Sequence, residues 1–176
     1  MVFHDSIKMP ITFQLLSYTF SIVQHLDFSF KKELFEYVLS IANNVVLIDH
    51  HKGAYDELNH LFESNNLKVV FDLNECGSSL TWKYLFPNED LPLIVQHVKD
   101  RDIWKWENKN SKAYLATLDT HPFTLESFIS FYSTFFCLPE KDRNSIYREM
   151  IETGEVLLLQ KENMTRVILE NVRYVN

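Results

Sequence analysis

The sequence predicts an α/β fold: an open, mostly parallel, Rossmann-like sheet flanked by helices, followed by a helical C-terminal part. Three observations lead there. Residues 20–26, 45–48 and 68–71 are short β-branched or aromatic runs with little polar alternation, the pattern of strands buried on both faces. Helical spacings of apolar residues separate them. Each run ends in an aspartate, Asp27, Asp49 or Asp72, and ligands of parallel sheets gather beyond the carboxyl ends of the strands.

The first run is Phe20-Ser21-Ile22-Val23-Gln24-His25-Leu26. A helix over 31–43 follows, with Leu34, Val38 and Ile41 at spacings of four and three and Phe35, Leu39 and Ala42 beside them. The second run, Val45-Val46-Leu47-Ile48, leads to a helix over 54–65 whose Leu58, Leu61 and Phe62 share a face. The third, Lys68-Val69-Val70-Phe71, completes the order strand, helix, strand, helix, strand, which crossovers fold into a parallel sheet. A helix over 77–86 stops at Pro87, whose ring would break it. A short helix over 90–98 leads into the charged Lys99-Asp100-Arg101-Asp102. Thr124 is placed to cap a helix over 125–136. Pro139 opens a long helix over 140–160 that continues toward 168, and residues 171–176 read as the start of a strand.

The 176 residues carry 17 basic and 24 acidic side chains, a formal charge of -7. That balance argues against passive binding of duplex nucleic acid, which needs Lys and Arg to neutralise phosphate. A bound cation can meet phosphate instead. Three glycines leave little room for a Gly-rich phosphate loop. Cys76 and Cys137 make neither a disulfide framework nor a zinc site, and read as reduced thiols of a cytoplasmic protein. No apolar run reaches the roughly 18 to 20 residues of a membrane span. The opening Met1-Val2-Phe3-His4-Asp5 lacks the pattern of a secretory leader. No repeat or Gly/Pro/Ser-rich linker divides the chain. It reads as one domain over 1–176, with an α/β core at 20–104 and a mainly helical extension at 105–176.

Ile48-Asp49-His50-His51-Lys52 is the strongest local signal. A carboxylate and two imidazoles at the end of a buried strand suit Mn, Fe, Zn and similar ions. A carboxylate closing such a strand costs desolvation unless something pairs with it, so three in succession point to a shared cation. The triplet Asp49-His50-His51 resembles the signature of the DHH phosphoesterase superfamily. The likeness extends to His25-Leu26-Asp27-Phe28-Ser29-Phe30, and to Asp72 with Cys76-Gly77-Ser78-Ser79-Leu80-Thr81-Trp82. Asp100-Arg101-Asp102-Ile103-Trp104 resembles the later metal-binding aspartate motif of the phosphohydrolase branch. In order and spacing the resemblance runs from about residue 20 to 160.

The resemblance implies a two-metal phosphohydrolase acting on phosphodiester or phosphoanhydride bonds. Asp27 corresponds to the carboxylate that bridges two ions. His50 corresponds to a metal ligand, with Asp49 beside it, and His51 to the histidine that contacts the scissile phosphate. Asp100 corresponds to the last ligand of the second ion, with Asp102 as the alternative. The implied cofactor is Mn or Mg, as one or two divalent ions that clamp phosphate and make hydroxide available. The implied partner is a phosphate-containing small molecule or a short single-stranded nucleic acid, with no membrane. Members of the family also carry a His and two spaced aspartates ahead of the Asp27 motif, and a Gly-rich C-terminal substrate domain. Neither has a counterpart among these residues, and His4-Asp5 is the nearest match to the former. The expectation is a truncated domain of this type with impaired hydrolysis. The alternative is a catalytically degenerate relative serving as a binding or scaffold protein. The sheet edge left by a missing strand favours a homo-oligomer.

Other residues read more plainly. Arg101 suits either phosphate or a surface ion pair. Trp104 and Trp106 flank Lys105 as base-stacking residues would, but the apolar position of Trp104 in its motif favours core packing. Ser78 and Ser79 bond a helix start rather than act as nucleophiles. His60, His97 and His121 are structural or exposed.

Overall fold

The computed structural model describes residues 22–27, 29–122 and 124–172. They divide into two compact units, one up to Asp90 and one from Leu91 on. The boundary falls ahead of Asp100, so the helix that carries this aspartate belongs to the helical unit.

The first unit is mixed α/β. Strands β1 (Ile22–Leu26), β2 (Asn44–Asp49) and β3 (Leu67–Phe71) form a parallel sheet in the order β1-β2-β3. Leu26 lies opposite Ile48, and Asp49 opposite Phe71. Helix α1 (Lys32–Ile41) joins β1 to β2. Helix α2 (Lys52–Leu58) and a 3-10 turn at Asn59–Leu61 join β2 to β3, and α3 (Gly77–Leu85) follows. Strand β2 is central, which explains its unbroken apolar run. Val45 and Leu47 face a core with Phe35, Val38, Ala42 and Leu58 from α1, its C-cap and α2. Val46 and Ile48 face the other side, against Leu80 and Tyr84 of α3 and Val70 of β3.

Among the described residues, the strands neighbour one another in sequence order and the order never reverses. The open Rossmann-like sheet expected from sequence is therefore not what they form; the sheet is a three-stranded parallel one. The reason is visible in the chain itself. After β3 the described elements are all helices.

The second unit contains α4 (Leu93–Asp102), α5 (Ser111–Leu118), α6 (Leu125–Cys137) and α7 (Glu140–Asn171). Its core gathers Tyr114, Leu115, Leu118 and Met150, with Ile94, Val98 and Phe131 packed against them. Helices α5 and α7 meet most closely: a Cβ at Gly154 would run into the backbone of Ala113. The Thr117 hydroxyl donates to the Met150 carbonyl at 2.6 Å. Helix α7 runs past 168 to Asn171, where a strand was expected to begin; residues 173–176 lie outside the described ones. From Leu159 to Val172 every residue is exposed. Among the described residues no helix is long and apolar enough to cross a membrane.

Candidate metal centre

Asp49 ends β2 and is 1% exposed. Such a carboxylate needs donors, and the turn into α2 supplies them. The backbone N–H groups of His50 and His51 donate to its Oδ1 at 2.7 and 2.9 Å. The Ser29 hydroxyl donates to Oδ2. The His51 ring places Nδ1 2.8 Å from Oδ1. Burial by itself would raise the Asp49 carboxyl; the bonds from Ser29, His51 and His50 outweigh it and hold the pKa below the ordinary 3.8. Asp49 is thus an anion, and His51 Nδ1 carries the proton it accepts. That sets Nε2 as the basic nitrogen of His51.

Asp27 stands one residue past β1, on the same sheet edge. Its N–H extends the ladder to the Ile48 carbonyl at 2.9 Å. Its φ is 55°, in the left-handed region that Asp tolerates better than most residues. The carboxylate lies against the start of α3: a Cβ on Gly77 would overlap the Asp27 side chain. The Cys76 capping box fixes that helix start, with Cys76 Sγ accepting from Ser79 N–H and Ser79 Oγ accepting from Cys76 N–H. Ser79 thus has the helix-start role expected of it.

These elements bring Asp27, His50 and His51 together, with one ligand atom from each lying within 4.8 Å of the others. His50 Nε2 is 3.1 Å from Asp27 Oδ1, and the His50 side chain is 10% exposed. Two ligand atoms bound to one ion at about 2.1 Å stand about 3 Å apart when adjacent in its coordination sphere. The imidazole and carboxylate donors suit a borderline or hard divalent cation. The donor set fits such an ion, and the His50–Asp27 pair has the spacing of two adjacent ligands.

Sequence reasoning placed His51 on the phosphate alone; the fold also puts it among the ligand atoms. Asp49 does not join the cluster and orients His51 from beneath. Asp72 does not join it either: its Oδ1 accepts the Asn74 N–H at 2.8 Å and closes a turn. The idea of three strand-closing aspartates sharing one ion therefore reduces to Asp27, with Asp49 in support. His4-Asp5 lies outside the described residues.

Asp100 lies in the second unit and is buried. Its carboxylate accepts the N–H groups of Glu107 and Asn108 at 2.7 and 3.1 Å. Burial would raise its pKa, but bonds from Ser111, Glu107 and Asn108, with a charge effect from His97, hold it below 3.8. Asp102 is exposed. Arg101 takes the ion-pair option, its Nη1 donating to both Asp119 oxygens at 3.0 and 2.9 Å. His97 is buried and structural, and the Cys76 and Cys137 thiols are free. What sequence reasoning missed is Gly77, whose missing side chain makes room for Asp27. A glycine opening a helix just after a strand was the available signal.

No protein-family model matches the chain, and no solved structure matches it. A curated relative from Acanthamoeba polyphaga mimivirus, described as an uncharacterized protein, is 28% identical over 149 residues. The alignment takes in 85% of this chain and 32% of the relative, so the chain spans about a third of that protein's length. By sequence, the chain is thus similar to a segment of a longer viral protein.

Proposed function

We propose that the Asp27–His50–His51 cluster holds a divalent ion, Mn or Mg, in a DHH-type phosphohydrolase acting on phosphodiester or phosphoanhydride bonds. The observation that carries this reading is the 3.1 Å approach of His50 Nε2 to Asp27 Oδ1, at the carboxyl edge of a parallel sheet where ligands bind. Two free thiols suit a reducing, cytoplasmic compartment.

When bound, the ion supplies positive charge for the phosphoryl oxygens and lowers the pKa of its water. The chain's own residues do the rest. Asp27 and His50 fix the cation, and α3 braces Asp27. His51, whose Nδ1–H is held by anionic Asp49, presents the Nε2 lone pair to the ion. The ligand set among the described residues suffices for one ion, so slow hydrolysis of a small phosphate ester is the expected activity. The alternative, a binding protein that keeps the ion without turnover, is favoured by the separate engagement of Asp100 with its own loop.

Calorimetric titration of the chain with Mn tests the reading. One site is expected, lost in His50→Ala and in Asp27→Asn. Heats unchanged in both variants would overturn it. Hydrolysis of bis(p-nitrophenyl) phosphate and of pyrophosphate with Mn then separates enzyme from binding protein.

A further inference from the structure

The loop between α4 and α5 exposes an aromatic surface at a structural cost. Trp104 is 75% exposed, although its place in the sequence favours the core. Trp104 and Trp106 have φ of 59° and 54°, a region that bulky side chains avoid. Such a residue is strained, and persists only where its surroundings enforce it.

Here Asp100 enforces it. Its carbonyl accepts the N–H groups of Lys105 and Trp106 at 3.1 and 3.3 Å, and its carboxylate those of Glu107 and Asn108. Four consecutive amides thus wind around one buried residue. Trp106 packs on the unit's core. Trp104 stands edge-on to it, 5.3 Å between centroids at 75°, and meets solvent.

Three lysines lie on and just after this loop in an otherwise acidic chain. Lys105, Lys109 and Lys112 are exposed, and Lys112 Nζ sits 5.3 Å from the Trp106 ring centre. Of the neighbouring acids, Asp100 is buried, leaving Asp102 and Glu107 at the surface. An exposed indole next to exposed Lys105 in sequence, with Lys112 on the neighbouring indole, suits a flat ring that carries a negative charge.

From this we infer that Trp104 is a stacking site for a nucleobase whose phosphate is met by Lys105 and its neighbours. The site stands on the second unit alone and does not depend on the metal centre. The ligand is a mononucleotide or a stretch of single-stranded nucleic acid, and the test separates the two.

Tryptophan fluorescence of the full chain is titrated with AMP, short oligo(dA) and inorganic phosphate, with EDTA present throughout. Chelation makes failure here distinct from failure of the metal reading. Saturable quenching by a base-bearing ligand is expected, and none by phosphate. Trp104→Ala is expected to weaken binding about tenfold or more, and Trp104→Phe much less. Lys105→Gln should flatten the salt dependence of oligo(dA) binding. Tighter binding of oligo(dA) than of AMP identifies single-stranded nucleic acid; equal binding identifies the mononucleotide. Absence of quenching, or an unchanged affinity in a folded Trp104→Ala, overturns the proposal. Because the residue is exposed, circular dichroism of the variants is expected to match the parent, and polarisation of a labelled oligo(dA) gives a readout that needs no tryptophan.

Discussion

Asp49 shows how much one buried anion can organise. Four donors converge on it, from Ser29, the two backbone amides of the His-His pair and the His51 ring. An asparagine there keeps one acceptor oxygen but loses the charge that strengthens all four bonds. Asp49→Asn is therefore expected to lose about 2–3 kcal/mol of stability in urea unfolding. It should also weaken Mn about tenfold or more, because His51 loses its orienting partner. Stability and Mn affinity equal to the parent would show that the donors do not depend on the charge. At this scale the sequence disclosed the Asp49-His50-His51 group, since adjacent residues need no fold to bring them together. It misplaced Trp104, because exposure there follows from left-handed backbone wound around Asp100, and no apolar period records that.

Among the elements, the start of α3 decides the geometry of Asp27. Gly77→Ala forces the Asp27 side chain away from His50 and should lower Mn affinity about tenfold or more. Gly53→Ala provides the contrast. A Cβ there meets nothing within 4 Å, and the substitution should be neutral for Mn and stabilising by about 0.4–1 kcal/mol. Equal Mn affinity in both variants would remove α3 from the site. The strands were legible because β2 is buried on both faces and its run is purely apolar. Helix α5 was not. Ala113, Tyr114, Leu115, Thr117 and Leu118 are buried almost all round, so no single stripe announces a helix. Helix α4 was read short, as 90–98, because its last turn is the charged Lys99-Asp100-Arg101-Asp102; Pro92 starts it later than expected and Asp100 faces inward.

For the molecule as a whole, a buried histidine ties three helices of the second unit. His97 of α4 places Nδ1 2.9 Å from Ser111 Oγ on α5 and Nε2 3.1 Å from Tyr147 OH on α7. Its ring stacks on Tyr114 at 4.5 Å. Burial pushes its pKa below 6.5, against an opposing pull from Asp100. The unfolded chain therefore takes up a proton at higher pH than the native one. The neutral-state contribution is full above 6.5 and is lost as pH falls from there toward the lowered value. The melting temperature should drop as pH falls below 6.5, and drop less in His97→Gln. Matching slopes would place the titration elsewhere. The helical character of this unit was legible in the runs 90–98, 125–136 and from Pro139 onward, but the division at Asp90 was not, since no Gly- or Ser-rich linker marks it.

Helix α7 changes character along its length. Its first half is clamped by the Gly154 contact with Ala113 and by the Thr117 bond to Met150, whereas beyond Leu159 every side chain faces solvent. Isolated turns of that number are marginal in water. In hydrogen-exchange terms the helix is two objects on one axis. The amides of its clamped half open only with the unit, and those of its outer half open turn by turn, so protection grades down a single unbroken ladder of hydrogen bonds.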